Sequence, residues 1–279
     1  MTRNILFIMC DQLRWDFLGC AGHPYLKTPN IDALAARGVR FDRAYCQSPI
    51  CGPSRMSFYT GRYPRSHGAT WNNVPLRVGE MTLGDHLEPL GLRTALCGKT
   101  HMAADIEGLR RLGLDPAEGI GKRIAECGFE VWDRLDGMHP DSDPNRPSHY
   151  EDHLRAKGFD GPNPWEQWAN SAEGPDGEIL SGWLMEHADK PARVAEPDSE
   201  TPYTTTRAME FIEDAGDRPW CLHLSYIKPH WPYIVPAPYH DMYGPEHVLP
   251  PVRSETERAD PHPVLEAYFQ LTFSKVFTR

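Results

Sequence analysis

The sequence has little of what marks a membrane, secreted or nucleic-acid-binding protein. No apolar run approaches the roughly 18 to 20 residues that a membrane-spanning helix needs. The chain begins almost directly with the apolar stretch Ile5–Cys10, so we expect no signal peptide. Positive charge is scarce, since 29 lysines and arginines face 39 acidic residues and the formal net charge is −10. This balance argues against a nucleic acid or an anionic membrane surface as the partner.

The cysteines lack the regular spacing of a disulfide framework. Their number, seven, is odd, and they are scattered along the chain. They are Cys10, Cys20, Cys46, Cys51, Cys97, Cys127 and Cys221. We therefore expect reduced thiols and a cytoplasmic location. Cys46 and Cys51 also do not provide the paired cysteines at short spacing that a zinc site needs.

Apolar runs and helical patterns alternate along the 279 residues. Residues 4–10 form a continuous apolar run that predicts a buried parallel strand, and 93–98 and 219–227 are similar. Helices are predicted over 28–38, 82–90 and 202–215. The sequence thus predicts an α/β fold, a largely parallel sheet with helices on both faces and a site at the carboxyl ends of the strands.

Two segments carry finer structural predictions. In the helix over 28–38, Asn30 is predicted to be the N-cap, Leu34 to face the core and Gly38 to end the helix. Residues 39–45 alternate like a short strand. Residues 138–201 are rich in proline, glycine and tryptophan, and we interpret them as a loop-rich excursion from one domain that spans 1–279. Its tryptophans, Trp165, Trp168 and Trp183, either line a leaving-group pocket or pack the excursion.

The stretch Cys51-Gly52-Pro53-Ser54-Arg55 is the strongest candidate for a reaction centre. Proline is favoured in the first helical turn, so Cys51 is predicted at a helix N-terminus, where anions bind. Arg55, one turn further on, can donate to the same anion. A thiol phosphatase loop would need an arginine where Ser57 stands. The alternative is a cysteine that only fills apolar space.

Other candidates follow the predicted strands. Asp11 comes directly after the first strand and is either a cap or a metal ligand, since hard cations prefer carboxylates. Lys99 and His101 follow the second strand and project to one side if the chain stays extended; exposed loop charge is the alternative. His230 follows the last strand between two prolines that restrict its backbone. Asn72 is typical of a turn.

Cys51-x-Pro53-x-Arg55, continued by Thr60-Gly61-Arg62, resembles the signature of the formylglycine-dependent sulfatases of the alkaline phosphatase superfamily. Gly98-Lys99-x-His101 and Pro229-His230-x-Pro232 are similar to further sulfatase motifs. The resemblance implies that Cys51 is oxidised to formylglycine, whose hydrate is the nucleophile. It also implies that Arg55, Lys99 and His101 act on the formylglycine or the sulfate, and that His230 contacts the sulfate or protonates the leaving oxygen.

The same resemblance implies a divalent cation held by Asp11 and by Cys51 as formylglycine. Calcium is the cation expected first, with manganese, magnesium and zinc as alternatives. Sulfatases usually place a second aspartate where Gln12 stands. This departure resembles the choline-sulfatase and phosphonate monoester hydrolase branches and leaves Gln12 as a neutral metal ligand or substrate contact. In the phosphonate branch an asparagine at the position of Asn72 touches the substrate.

The predicted function is hydrolysis of a small sulfate monoester, with a formylglycine-generating enzyme as a partner and homo-oligomerisation left open. One alternative is hydrolysis of a phosphonate monoester or phosphodiester at the same site. Another is a catalytically incomplete fragment, because the resemblance covers residues 4–268, the N-terminal half of a sulfatase. No Ser-Asp-His-Gly segment occurs after residue 251 to return further ligands to the metal. Two ligands alone would leave calcium under-coordinated.

Overall fold

The computed structural model of the protein describes residues 4–137, 149–252 and 254–271. Contacts divide these residues into two compact units. The first unit takes in 4–137, 149–152 and 200–230, and the second takes in 153–199, 231–252 and 254–271. All the predicted site residues lie in the first unit. Of the predicted excursion over 138–201, residues 138–148 lie outside the described residues.

The first unit is built on a four-stranded parallel sheet. In chain order the strands of the protein are β1 (Ile5–Cys10), β2 (Arg93–Gly98), β3 (Glu130–Arg134), β4 (Ser171–Glu173), β5 (Ile179–Ser181) and β6 (Trp220–Tyr226). The sheet order is β1-β6-β2-β3, so the late strand β6 lies between the first two. This order brings the carboxyl ends of β1, β6 and β2 side by side at one edge of the sheet.

Ten α-helices lie in the described part of the chain. They are α1 (Pro29–Arg37), α2 (Cys51–Thr60), α3 (Pro64–His67), α4 (Leu83–Leu87), α5 (Ile106–Arg111), α6 (Gly119–Ala125), α7 (His149–Ala156), α8 (Glu200–Ala215), α9 (Thr256–Ala259) and α10 (Pro263–Phe269). None of them has the length and apolarity that crossing a bilayer requires.

Helices cover both faces of the sheet. The side chains of β2 alternate between the two faces, and each set packs against a helix. Ala95 and Cys97 point to one face, where they pack in a buried cluster with Phe211 of α8. Leu96 points to the other face and packs with Met56 of α2. Successive residues of a strand face opposite sides, so a strand that is apolar on both faces needs a cover on both. The predicted α/β architecture is confirmed.

β1 differs from its prediction as a buried strand. Its position is correct, but Ile5, Leu6 and Ile8 are 43%, 45% and 47% exposed. The reason is that β1 is the edge of the described sheet and pairs only with β6. An apolar run indicates that a strand is buried when neighbours pack around it. In the described residues, β1 has a neighbouring strand on one side only.

The segment after β1 corrects three further predictions. Thr28, not Asn30, is the N-cap of α1, because Pro29 takes the first helical position, where its missing N–H costs nothing. Leu34 is exposed instead of facing the core. Residues 39–45 form no strand, since no described strand pairs with them. An alternating pattern alone therefore did not produce a strand here.

The other predicted elements of the first unit are confirmed. β2 and β6 lie within their predicted ranges, and α8 presents Ala208 and Phe211 to the core. The helix predicted over 82–90 is shorter: α4 begins after a capping box of Thr82 and Asp85, and a 3₁₀ turn completes the segment. Thr82 Oγ1 also donates to the carbonyl of Cys127, which connects the start of α4 to the turn after α6.

The second unit contains the antiparallel pair β4 and β5 and much irregular chain. Its tryptophans pack against neighbours within the unit. Trp165 is buried with its ring centre 6.1 Å from that of Trp183, and the guanidinium of Arg193 lies 4.0 Å from the ring centre of Trp168. This arrangement favours the interpretation of these residues as packing.

Candidate active site

The carboxyl ends of β1 and β2 bring two predicted residues into direct contact. Asp11 follows β1 and Lys99 follows β2. Both side chains are buried, and Lys99 Nζ lies 2.5 Å from Asp11 Oδ2. They are 88 positions apart in the sequence, so the parallel sheet is what brings them together.

Cys51 is the first residue of α2, as predicted. Its Sγ lies 3.5 Å from Asp11 Oδ1. The next residue, Gly52, donates its N–H to Asn72 Oδ1 at 2.8 Å, and a β carbon at Gly52 would stand 2.9 Å from the same oxygen. Asn72 therefore satisfies one free N–H at the start of α2 and fixes the position of Cys51. Its predicted contact with substrate stays a prediction.

Arg55 is buried one turn further along α2 and reaches across the site. Its Nη1 donates to the carbonyl of Lys99 at 2.7 Å and to Ser225 Oγ at 2.9 Å. Its Nη2 lies 3.5 Å from Asp11 Oδ2 and has no hydrogen-bond partner among the described residues. One nitrogen is thus fixed by the protein, while the other faces the site with capacity to donate.

Ser225 is a site residue that the sequence reasoning missed. It lies near the end of β6, and its carbonyl accepts the N–H of Lys99 at 2.9 Å while its hydroxyl accepts from Arg55. The available signal was a hydroxyl in a mainly apolar strand, directly before the strand end where sites of parallel sheets form.

Gly98 makes the close approach of β2 and β6 possible. Its φ is +100°, and a β carbon there would lie 1.9 Å from the carbonyl oxygen of Ser225. Only glycine fits this combination of backbone angle and space. The chain can therefore turn directly from β2 into Lys99.

The path from Lys99 to His101 is not the extended one that the sequence reasoning assumed. His101 has φ +51°, in the left-handed region. Asp136 explains the bend, because its Oδ1 accepts the N–H of Thr100 at 2.6 Å and the N–H of His101 at 2.8 Å. Asp136 was also missed, although it stands two residues after β3, at the same edge of the sheet.

The charges of the site shift the ionisation of its members. Burial raises the pKa of Asp11, but the positive charges of Lys99 and Arg55 outweigh it and the net shift is downward. Burial, with the Asp11 carboxylate next, raises the pKa of the Cys51 thiol. Burial, with Lys99 next, lowers the pKa of His101. Near neutral pH the site therefore holds an ionised Asp11, a protonated thiol and a neutral imidazole.

Candidate metal ligands meet at one place in the described residues. One ligand atom each from Asp11, Cys51 and His230 lie within 4.8 Å of one another. A carboxylate and an imidazole suit a divalent cation, but three donors are fewer than the six to eight oxygens, roughly, that calcium takes. Gln12 has left-handed backbone, φ +61°, and is exposed; its role as a ligand or substrate contact stays a prediction.

His223 is fully buried in β6. Its Nε2 lies 3.2 Å from the hydroxyl of Tyr59, and its ring stacks on Phe7 with 5.2 Å between ring centres. Burial, with Arg55 second, lowers the pKa of His223 to about 3. It is a neutral packing residue behind the site.

The family model named sulfatase matches residues 3–249 of the chain. The chain belongs to the sulfatase family. The multifunctional alkaline phosphatase superfamily protein PehA of Trinickia caryophylli is 33% identical over 96% of this chain and 50% of its own length. The choline-sulfatase of Rhizobium meliloti is 30% identical over 93% of this chain and 45% of its own length.

Solved structures of similar fold support the same family. The phosphonate monoester hydrolase of Agrobacterium radiobacter is 27% identical, with a TM-score of 0.76 over 95% of this chain and 49% of that protein. A phosphonate monoester hydrolase from Silicibacter pomeroyi is 28% identical, with a TM-score of 0.73. The expected alkaline phosphatase superfamily fold is confirmed. The chain spans about half the length of the curated relatives it matches.

Proposed function

We propose that the protein hydrolyses a small sulfate monoester at the site formed by Asp11, Cys51, Arg55 and Lys99. The observation that carries the proposal is the charge of the site. Two buried cations, Arg55 and Lys99, face one buried carboxylate at the N-terminus of α2. Sulfatases among the relatives support sulfate as the anion.

A surplus of buried positive charge is unfavourable unless an anion balances it. The protein as a whole carries a formal charge of −10, so the positive groups that attract an anionic substrate must be those of the site itself. Arg55 Nη2, which has no hydrogen-bond partner among the described residues, supplies a donor for a sulfate oxygen, and the positive end of the α2 dipole favours an anion there.

The nucleophile in this proposal derives from Cys51. The raised pKa keeps the thiol protonated near neutral pH, and a thiol is a weaker nucleophile than a thiolate. We propose that a formylglycine-generating enzyme, with molecular oxygen as the oxidant, converts the Cys51 side chain to an aldehyde and releases its sulfur as sulfide. Water then adds to the aldehyde, and the hydrate supplies an oxygen nucleophile. The location of Cys51 Sγ, beside Asp11 and at the helix N-terminus, supports this role.

In this proposal, residues of the chain bind the sulfate and transfer protons to the leaving oxygen and from the hydrate. Arg55 and Lys99 hold the sulfate oxygens and stabilise the charge that develops on them. A ring nitrogen of His230 lies within 4.8 Å of the nearest ligand atoms of Asp11 and Cys51, which supports a role in protonating the leaving oxygen. His101, neutral near pH 7, is available to accept a proton from the hydrate.

Asp11 and the matured Cys51 are the proposed ligands of a divalent cation, with Gln12 as a further candidate. The cation is expected to be calcium, with manganese, magnesium or zinc as alternatives, and it would add positive charge beside the sulfate oxygens. Asp11, Cys51 and Gln12 are fewer than the roughly six to eight oxygen donors that calcium takes, so we propose that water, substrate or further polypeptide supplies the rest.

A second candidate is hydrolysis of a phosphonate monoester or phosphodiester. The likeness to two phosphonate monoester hydrolases favours it. A third candidate is a catalytically incomplete fragment, which the coverage of half the relatives' length favours. A cytoplasmic location is supported by the free state of all seven cysteines.

The test is a comparison of rates on an aryl sulfate and an aryl phosphonate monoester, after co-expression with a formylglycine-generating enzyme. Sulfate monoester hydrolysis predicts a higher kcat/KM on the sulfate. A higher value on the phosphonate would establish the second candidate. No turnover of either would favour the incomplete fragment. Arg55→Met should lower kcat/KM by about 100-fold or more, whereas Arg65→Met, at an exposed position, should not change it.

A further inference from the structure

Asp136 holds the segment that carries Lys99 and His101. One carboxylate oxygen, Oδ1, accepts two successive backbone N–H groups, those of Thr100 and His101, at 2.6 and 2.8 Å. The hydroxyl of Thr100 also lies within hydrogen-bonding distance, with its Oγ1 3.3 Å from the same oxygen. A carboxylate that receives several N–H groups fixes the course of the backbone that provides them.

The segment needs such a partner because its backbone is unfavourable by itself. His101 has a β carbon and a φ of +51°. Left-handed backbone at such a residue persists when the surroundings hold it in place. The bend sets where Lys99 and His101 point, and Lys99 meets Asp11 at 2.5 Å.

Asp136 is itself fixed from the other side. Its Oδ2 accepts from Arg134 Nε at 2.6 Å. Arg134 Nη2 also donates to the carbonyl of Met102 at 3.1 Å, so the arginine contacts the same segment one residue beyond His101. A second ion pair, 3.2 Å, joins Arg134 to Glu126. The Asp136 carboxylate and the Arg134 guanidinium together fix the backbone from Thr100 to Met102 through hydrogen bonds.

We propose that Asp136 is a positioning residue, which acts through the backbone of Thr100 and His101 to aim Lys99 and His101 at the bound oxyanion. The proposal rests on the proposed function, since it assigns the oxyanion to sulfate. The hydrogen bonds of Asp136 go to the segment and to Arg134, so its effect on the reaction is indirect.

The experiment compares Asp136→Ala, Asp136→Asn and the matched control Asp133→Asn in the purified chain. Asp133 is a buried aspartate of the same strand region, but it binds Tyr203 Oη at 2.7 Å and Arg207 Nε at 3.1 Å. The probes are inorganic sulfate, measured by its dissociation constant, and amide hydrogen exchange at Thr100 and His101. Unfolding midpoints report the fold of each variant.

We expect Asp136→Ala to raise the dissociation constant of sulfate by about 10-fold. The same substitution should speed hydrogen exchange of the Thr100 and His101 amides by about 10-fold or more. Asp136→Asn keeps an acceptor oxygen for the amides and should restore part of both values. It also serves as the folded variant should the alanine variant unfold. Asp133→Asn should lower the unfolding midpoint and leave both probes unchanged. With an aryl sulfate, the loss at Asp136 should appear in kcat/KM.

The two proposals fail differently. A folded Asp136→Ala or Asp136→Asn variant with wild-type sulfate binding and wild-type exchange overturns the positioning role. Equal effects of Asp133→Asn and Asp136→Asn on sulfate binding would also overturn it, because the effect would then be structural. A wild-type chain that binds no sulfate overturns the proposed function instead, and the exchange rates alone then decide whether Asp136 holds the segment.

Discussion

At the scale of single residues, Cys51 concentrates the proposed chemistry. It is the first residue of α2, within 3.5 Å of a buried carboxylate and close to two buried cations. Its neighbour Cys46 is an exposed cysteine outside this cluster. The two cysteines therefore form a matched pair for testing which thiol matters.

Cys51→Ala should abolish hydrolysis of an aryl sulfate, lowering kcat by at least about 1,000-fold, because the nucleophile is lost. Its unfolding midpoint should stay near that of the wild type, since the side chain is small and only partly buried. Cys46→Ala should leave kcat unchanged. Turnover in Cys51→Ala comparable to wild type would remove Cys51 from the mechanism.

Asp11, Lys99 and His230 were predictable as site residues because each follows a strand, and Cys51 and Arg55 because they lie in the first turns of α2. Ser225 and Asp136 were not predictable in the same way. Their roles depend on hydrogen bonds to the backbone of other segments, and no spacing in the sequence records which strand ends lie side by side. The order β1-β6-β2-β3 supplies that information.

At the scale of elements, the turn out of β2 depends on Gly98. Gly98→Ala should destabilise the protein by about 3 kcal/mol or more, because the new β carbon would meet backbone rather than a flexible side chain. Gly91→Ala is the control, with φ +74° and nothing within 4 Å of the added carbon. It should cost only about 1 kcal/mol. Urea denaturation measures both; equal losses would contradict the role of the contact with Ser225.

Asp136, which holds the segment after β2, makes the free energy of unfolding depend on pH. Burial raises the pKa of Asp136, but Arg134 and the N–H groups of His101 and Thr100 outweigh it and lower the pKa to about 2. This is below the value of about 3.9 expected when unfolded. The stabilisation, about 2 kcal/mol, is therefore present above pH 4 and is lost as pH falls towards 2.

Asp136→Asn removes this ionisation and provides the comparison. The difference in free energy of unfolding between wild type and Asp136→Asn should be largest near pH 6 and shrink below pH 4. Denaturant titrations at several pH values measure it. A difference that is constant from pH 6 to pH 3 would show that the charge of Asp136 does not stabilise the fold.

At the scale of the whole molecule, the described sheet has an apolar edge. The sequence predicted that β1 is a strand, yet it could not show that β1 lacks a second neighbour among the described residues. Burial depends on what packs against a strand, and the chain covers about half the length of its relatives. Exposed Ile5, Leu6 and Ile8 on an open strand edge are a surface prone to pairing with other chains.

The purified chain should therefore self-associate at high concentration through β1. Charges on an edge strand oppose such pairing, so the double substitution Leu6→Lys and Ile8→Lys should shift the chain towards monomer. Ile120→Lys, at an exposed apolar residue of α6, is the control and should not. Sedimentation velocity measures the distribution. Unchanged self-association in the β1 variant would locate the contact elsewhere.

The most direct measurement is the mass of the peptide that contains Cys51, from the chain co-expressed with a formylglycine-generating enzyme. Conversion of the thiol to the aldehyde that supplies the nucleophile lowers the mass by about 18 Da. We expect this loss at Cys51, with fragment ions that carry Cys46 but not Cys51 unchanged in mass. An unmodified thiol at Cys51 in a folded chain would contradict the proposed nucleophile and leave the site without the oxygen that the mechanism requires.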